Sequence, residues 1–199
     1  MTARIVLLNG PGSAGKTSIA RALQAIAATP FLYVAMDGFL EMLPPGLWDH
    51  PDGWRLVRHQ EDGHPSIELV EGPVGRRLML GTRRAVAALA LAGNDLILDE
   101  ILLDDAAADY RALLAGCRVH WVKVDAPLAV IEQRERLRGD RDLGLARWQQ
   151  PRVHQGVTYD LEIDSDHLPE GHLSRLQAAG VLEPVADAPP ALKMRKRRS

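Results

Sequence analysis

One loop constrains this chain more than any other feature. Gly10-Pro11-Gly12-Ser13-Ala14-Gly15-Lys16-Thr17 fits G-x-x-x-x-G-K-[ST], and Ser18 follows it. It stands between the apolar run Ile5-Val6-Leu7-Leu8 and a segment with Ile19, Ala20, Leu23, Ile26 and Ala27 on one helical face. Strand, glycine loop and helix is the order a phosphate cradle needs. Glycines let the backbone turn its N–H groups inward, and the helix aims its positive dipole end at the same point. Lys16 is placed to reach the outer phosphates of a nucleotide, and the Thr17 hydroxyl to hold Mg²⁺. Gly10, Gly12 and Gly15 also spell G-x-G-x-x-G, with Asp37 about 20 residues on, so a dinucleotide fold is the rival. Lys16-Thr17 favours a triphosphate such as ATP.

Five segments read as strands: 4–9, 31–36, 95–99, 118–124 and 159–164. They alternate with helical patterns over 16–27, 72–92, 104–115, 127–138 and 169–179. Such alternation implies an α/β fold with a parallel sheet covered on both faces. A chain of 199 residues suits one domain, expected over residues 1–183. Residues 43–71, rich in Pro, Gly, His and Trp, read as a long loop, and the basic tail from Pro184 reads as disordered.

Composition narrows the function. A net charge of −2 argues against general nucleic-acid binding. The one cysteine, Cys117, excludes an internal disulfide framework and a Cys-rich zinc site. No apolar run is long enough for a membrane span or a secretory leader, so a cytoplasmic protein is expected. A homodimer is a common default for such chains.

Three further features bear on chemistry. Asp99 ends the apolar run "LILD" and reads either as a metal-holding acid or as a helix cap. Asp37 follows "FLYVAM" and reads either as a base for an acceptor hydroxyl or as a cap on a helix over 38–42. "RERLRGDR" carries Arg134, Arg136, Arg138 and Arg141 around a Gly139-Asp140 break. It reads as a lid over phosphates, about residues 134–150, or as a solvated helix face.

These pieces, with "IVLLNGPGSAGKTS", "MDGFLEMLP", "GNDLILDEILL" and "VHQGVTYDLEIDSDH", resemble the chloramphenicol phosphotransferase-like family over about residues 2–168. The resemblance implies a P-loop kinase fold of the nucleoside and shikimate kinase type, with strand order 2-3-1-4-5. It implies ATP-dependent phosphorylation of a hydroxyl on a small antibiotic. It places Asp37 as the base, Gly10–Thr17 at the nucleotide, and Arg134, Arg138 and Arg141 in the lid. Residues 38–71 are expected to meet the acceptor, with Met36, Phe39, Trp48 and Trp54 as contacts. The two tryptophans either wall a ring or only pin the loop. His50, His59 and His64 read as surface residues. The other readings are a kinase of a nucleoside or other metabolite, and a nucleotide switch or weak NTPase acting through residues 43–71.

Overall fold

The computed structural model describes residues 2–139 and 142–166, together with 174, 176 and 180. The expected last helix lies largely outside these residues. The basic tail and Arg141 lie outside them altogether.

The expected alternation is present. β1 (Arg4–Asn9), β2 (Phe31–Ala35), β5 (Asp95–Glu100), β6 (Arg118–Asp125) and β7 (Leu161–Asp164) form one sheet. Its order is β2-β5-β1-β6-β7, with every pairing parallel. Counting only these five strands, the order is 2-3-1-4-5, as expected. β1 is apolar on both faces because both are covered. Val6 and Leu8 pack with Ile19 and Leu23 of α1 (Lys16–Ile26). Ile5 and Leu7 pack on the other face with Val86 of α3 (Pro73–Leu91) and Tyr110 of α4 (Ala106–Leu113).

Residues 43–71 depart from the expected long loop. After the short helix α2 (Met36–Leu40), they include an antiparallel hairpin of β3 (Trp54–Glu61) and β4 (His64–Glu71). The signal was Asp62-Gly63. Both residues have positive φ, 50° and 78°, which a two-residue hairpin turn requires and which Asp-Gly favours. Proline and histidine content hid that short turn. His59 lies 3.2 Å from Glu68 across the hairpin, and His50 Nδ1 accepts from the Asp52 N–H. Among the described residues no cluster of His, Cys, Asp and Glu could hold a metal ion. No helix among them is long and apolar enough to cross a membrane.

The arginine segment folds as α5 (Leu128–Arg138) and α6 (Leu145–Gln149). The mostly buried Glu135 of α5 accepts from the N–H groups of Gly144 and Ala146, at 2.9 and 3.0 Å. One carboxylate thus caps α6 where no local side chain does. The Ile67 N–H of β4 donates to the Gly144 carbonyl at 3.0 Å, and Leu145 packs with Leu56 and Ile67. Hairpin, α6 and α5 therefore form one attached layer.

Gly144 is the tight point in that layer. Its φ is 108°, and a Cβ there would lie 2.6 Å from the Pro65 carbonyl oxygen. Gly144→Ala is expected to cost at least about 2 kcal/mol, from left-handed strain plus the backbone clash. At this size that lowers the thermal unfolding midpoint by roughly 4–8 °C. Gly139→Ala, with open space around its Cβ position, tests φ strain without the clash.

Candidate active site

The P-loop connects the C-terminal end of β1 to α1. A Cβ at Gly10 would lie 2.0 Å from the Val124 carbonyl oxygen, so no larger residue fits between the loop and β6. Gly15 at the N-cap of α1 has φ 91°, and no side chain caps that helix or places an acid in its first turn. Its N-terminal amides are left for an anion. The Lys16 ammonium donates to the Gly10 and Pro11 carbonyls at 2.8 Å each and lies 3.6 Å from Asp99. Ser13 Oγ is buried and has no hydrogen-bond partner among the described residues. These groups line a cleft of about 450 Å³, whose walls also include Ile19, Ile101, Ser165 and Asp166. An unpaired hydroxyl, an ammonium and uncapped amides fit the phosphate tail of a nucleotide.

Parallel pairing brings Asp99 to this loop, because β5 lies directly beside β1 with Leu8 opposite Asp99. The Thr17 hydroxyl donates to Asp99 Oδ2 at 2.8 Å, and so does the Tyr33 hydroxyl of β2. Burial, together with the facing Asp99 carboxylate, pushes the Tyr33 phenol up to about 12, so it stays a donor at neutral pH. Thr17 and Asp99 offer the hard oxygen donors that suit Mg²⁺, which usually takes one or two protein oxygens plus phosphates and water. Tyr33 was missed in the sequence. It sits within an apolar strand, and only the β2–β5 pairing shows that it faces Asp99. Asn9 was missed too. It is fully buried, accepts from the Leu102 N–H at 2.8 Å and donates to the Val153 carbonyl at 2.7 Å. It thereby fixes the end of β1 from which the P-loop departs.

Asp37 is the second residue of α2. It lies inside the first turn, one residue past Met36, whereas the N-cap position is Ala35. It lines the phosphate cleft and also a second cavity of about 690 Å³, walled by Leu40, Leu43, Trp48, Leu69 and Leu145. Met36, Ile101 and Arg138 stand on both walls with it. Asp37 and Arg138 thus mark the junction of the two spaces. Arg134 donates to Ser165 Oγ and its carbonyl at 3.0 and 2.9 Å, which hangs its guanidinium beside Gly15. Arg136 is exposed, and Arg147 pairs with Glu132 at 2.5 Å. Of the described arginines in this segment, Arg134 and Arg138 thus line the phosphate cleft, while Arg136 and Arg147 do not. Trp48 reaches the second cavity, whereas Trp54 is buried and lines a separate space beneath the hairpin. Phe39 is partly buried and lines none of these three cavities.

The profile of chloramphenicol phosphotransferase-like proteins matches residues 3–181. The chain belongs to that family. A Mycobacterium tuberculosis relative that carries the provisional name O-phosphotransferase is 32% identical over 178 residues, covering 86% of this chain and 79% of its own. Among solved structures, M. tuberculosis APS kinase in complex with AMPPNP and APS superposes with a TM-score of 0.60 at 16% identity, covering 89% of this chain and 97% of that one. The tunicamycin resistance protein of Deinococcus radiodurans superposes at 0.58 and 19% identity, covering 94% of this chain and 100% of that one. Those two likenesses show the fold, that of P-loop kinases. The chain is a small-molecule phosphotransferase of this family.

Glu100, next to Asp99, turns to the other face of β5. It is buried and accepts from the Tyr110 hydroxyl at 2.5 Å. Burial pushes its carboxyl up from 4.5 to about 7. A carboxyl raised on folding gives the folded state an extra proton between those values, so its stabilisation is full below about 4.5 and is lost as pH rises through 7. Glu100→Gln is expected to remove that loss, worth up to about 3 kcal/mol at the constant of 1.36 kcal/mol per unit. Denaturant melts from pH 4 to 8 without divalent metal check it. The native protein should weaken across this range more than the variant does.

Proposed function

We propose that this chain is a Mg²⁺-dependent kinase that transfers the γ-phosphoryl group of ATP to a hydroxyl of a small amphiphilic molecule. The observation that carries this reading is the position of Asp37 and Arg138 on the shared wall of the phosphate cleft and the apolar cavity. A switch needs only the first space; a transferase needs two that meet.

In this reading the loop Gly10–Ser18 cradles the phosphates with the uncapped amides of Gly15–Ser18 at the start of α1 and the Lys16 ammonium, Lys16 leaving its own loop carbonyls to do so. Thr17 and Asp99 would hold Mg²⁺, which when bound neutralises charge on the transferring group and on the departing diphosphate. Asp37 orients the acceptor hydroxyl and takes its proton. The acceptor oxygen forms a bond to the γ-phosphorus as the bond from that phosphorus to the β–γ bridging oxygen breaks. The products are a phosphate monoester and ADP. Arg134 and Arg138 stabilise the charge spread over the transferring group. Arg141 continues the same segment and is assigned with them on the family resemblance.

The acceptor cavity also has a charge preference. Among the described residues, Asp37, Glu41 and Asp142 outnumber Arg138 on its wall, against an apolar body that includes Trp48. Neutral or cationic acceptors with an apolar ring suit it; anionic ones are repelled. Chloramphenicol and related hydroxylated antibiotics meet that description and are the first candidates, with phosphorylation inactivating the drug. Met36 and Trp48 are the assigned acceptor contacts.

ADP release measured over a panel of neutral, cationic and anionic hydroxyl compounds, nucleosides included, tests the reading. Turnover should depend on a non-anionic acceptor. Asp37→Asn should then lose about 10²–10⁴-fold in acceptor-dependent kcat while MgATP affinity stays within a few-fold of native. Slow hydrolysis indifferent to every acceptor and to Asp37→Asn would point instead to a nucleotide switch.

A further inference from the structure

The last residue of α6 touches the P-loop. Gln149 is 3% exposed, and its Oε1 accepts from the Gly12 N–H at 2.9 Å. Gln149 also lines the acceptor cavity and the space beneath the hairpin. It thus stands at the meeting point of three surfaces, though nothing in the loop motif calls for it.

Its support is unusually well built for a five-residue helix. Glu135 holds the first turn of α6 from α5, the helix that carries Arg134 and Arg138. The Ile67 N–H holds the preceding Gly144 from the hairpin. A line of hydrogen bonds therefore runs from the hairpin and α5, through α6, to one amide of the phosphate loop. The residue type at its end is also constrained. The amide needs an acceptor oxygen, but a carboxylate there would add negative charge beside bound phosphates. Gln meets both conditions.

We propose that Gln149 is a positioning residue that holds the Gly12 peptide, and through it the P-loop, in the shape that grips MgATP, with α6 and Glu135 as its foundation. This rests on the kinase reading above. The role is distinct from packing, because it requires the amide oxygen rather than the bulk of the side chain.

Three variants separate the possibilities. Gln149→Met keeps length and removes the acceptor oxygen. Calorimetric titration with MgATP should show its Kd raised tenfold or more over native. Gln149→Glu restores an oxygen. Compared with native at the same pH, it should bind MgATP within about threefold at pH 5.5, where the buried carboxyl is protonated. At pH 9, ionised, it should bind more weakly than Gln149→Met. Glu135→Ala should weaken MgATP binding alone and add little on top of Gln149→Met, as expected for residues acting through one contact. A Gln149→Met protein within twofold of native overturns the proposal. So does a Gln149→Glu protein no better than Gln149→Met at pH 5.5, or full additivity with Glu135→Ala. Native protein that binds no MgATP overturns the kinase reading and this proposal together; normal native binding with an indifferent Gln149→Met overturns this one alone.

Discussion

The parallel placement of β1 between β5 and β6 is the constraint on which the site depends. Three strands running the same way deliver their C-terminal ends to one edge of the sheet. The P-loop, Asp99 and the backbone that Gly10 packs against all emerge there. An antiparallel neighbour at β5 would have carried Asp99 to the opposite edge. The apolar content of β1, buried on both faces, is what makes that central position stable. Core packing and phosphate chemistry are thus two results of one pairing pattern, and the same edge admits Tyr33 through β2 and Ser165 after β7.

On this edge the arginine segment is held by more than its arginines. Glu135, a buried acid among basic neighbours, binds two backbone amides and ties α6 to α5. The charges that face the phosphate cleft, Arg134 and Arg138, therefore sit on the same frame as Leu145 and Gln149, which face the acceptor cavity. In the proposed kinase reading, guanidinium groups placed this way would need little reorganisation at the moment of transfer, which is how electrostatic stabilisation is most effective.

Much of this was legible in the sequence, for identifiable reasons. Continuous apolar runs ending in Asn9 and Asp99 gave the central strands, the family resemblance gave their order, and Gly10–Thr17 gave the phosphate cleft. Asp37 was legible as a candidate because it follows an apolar strand run, and Arg134 because it belongs to an arginine cluster around a glycine break. Residues 43–71 were misread as a loop, since the Asp62-Gly63 turn was outweighed by Pro, His and Trp around it. Trp54 and Trp48 look alike in sequence, yet one packs beneath the hairpin and the other faces the cavity. Tyr33, Asn9 and Gln149 were invisible for a common reason. Their partners lie 66, 93 and 137 residues away along the chain, so only the folded topology joins them.

The two-residue turn at the tip of the hairpin has a consequence for how such a protein can change. Strand side chains alternate with period two, so lengthening both arms by two residues preserves which face each side chain occupies. The hairpin is held at Ile67 by the loop before α6 and at Leu56 and Arg58 by Asp49, and Asp62 and Gly63 at its tip line neither the phosphate cleft nor the acceptor cavity. Insertions at Asp62-Gly63 can therefore lengthen the arms beyond Ile67 without breaking the hydrogen bond that seats α6. The tip is free to change in length, whereas the hairpin from Ile67 inward is tied to the P-loop through α6 and Gln149.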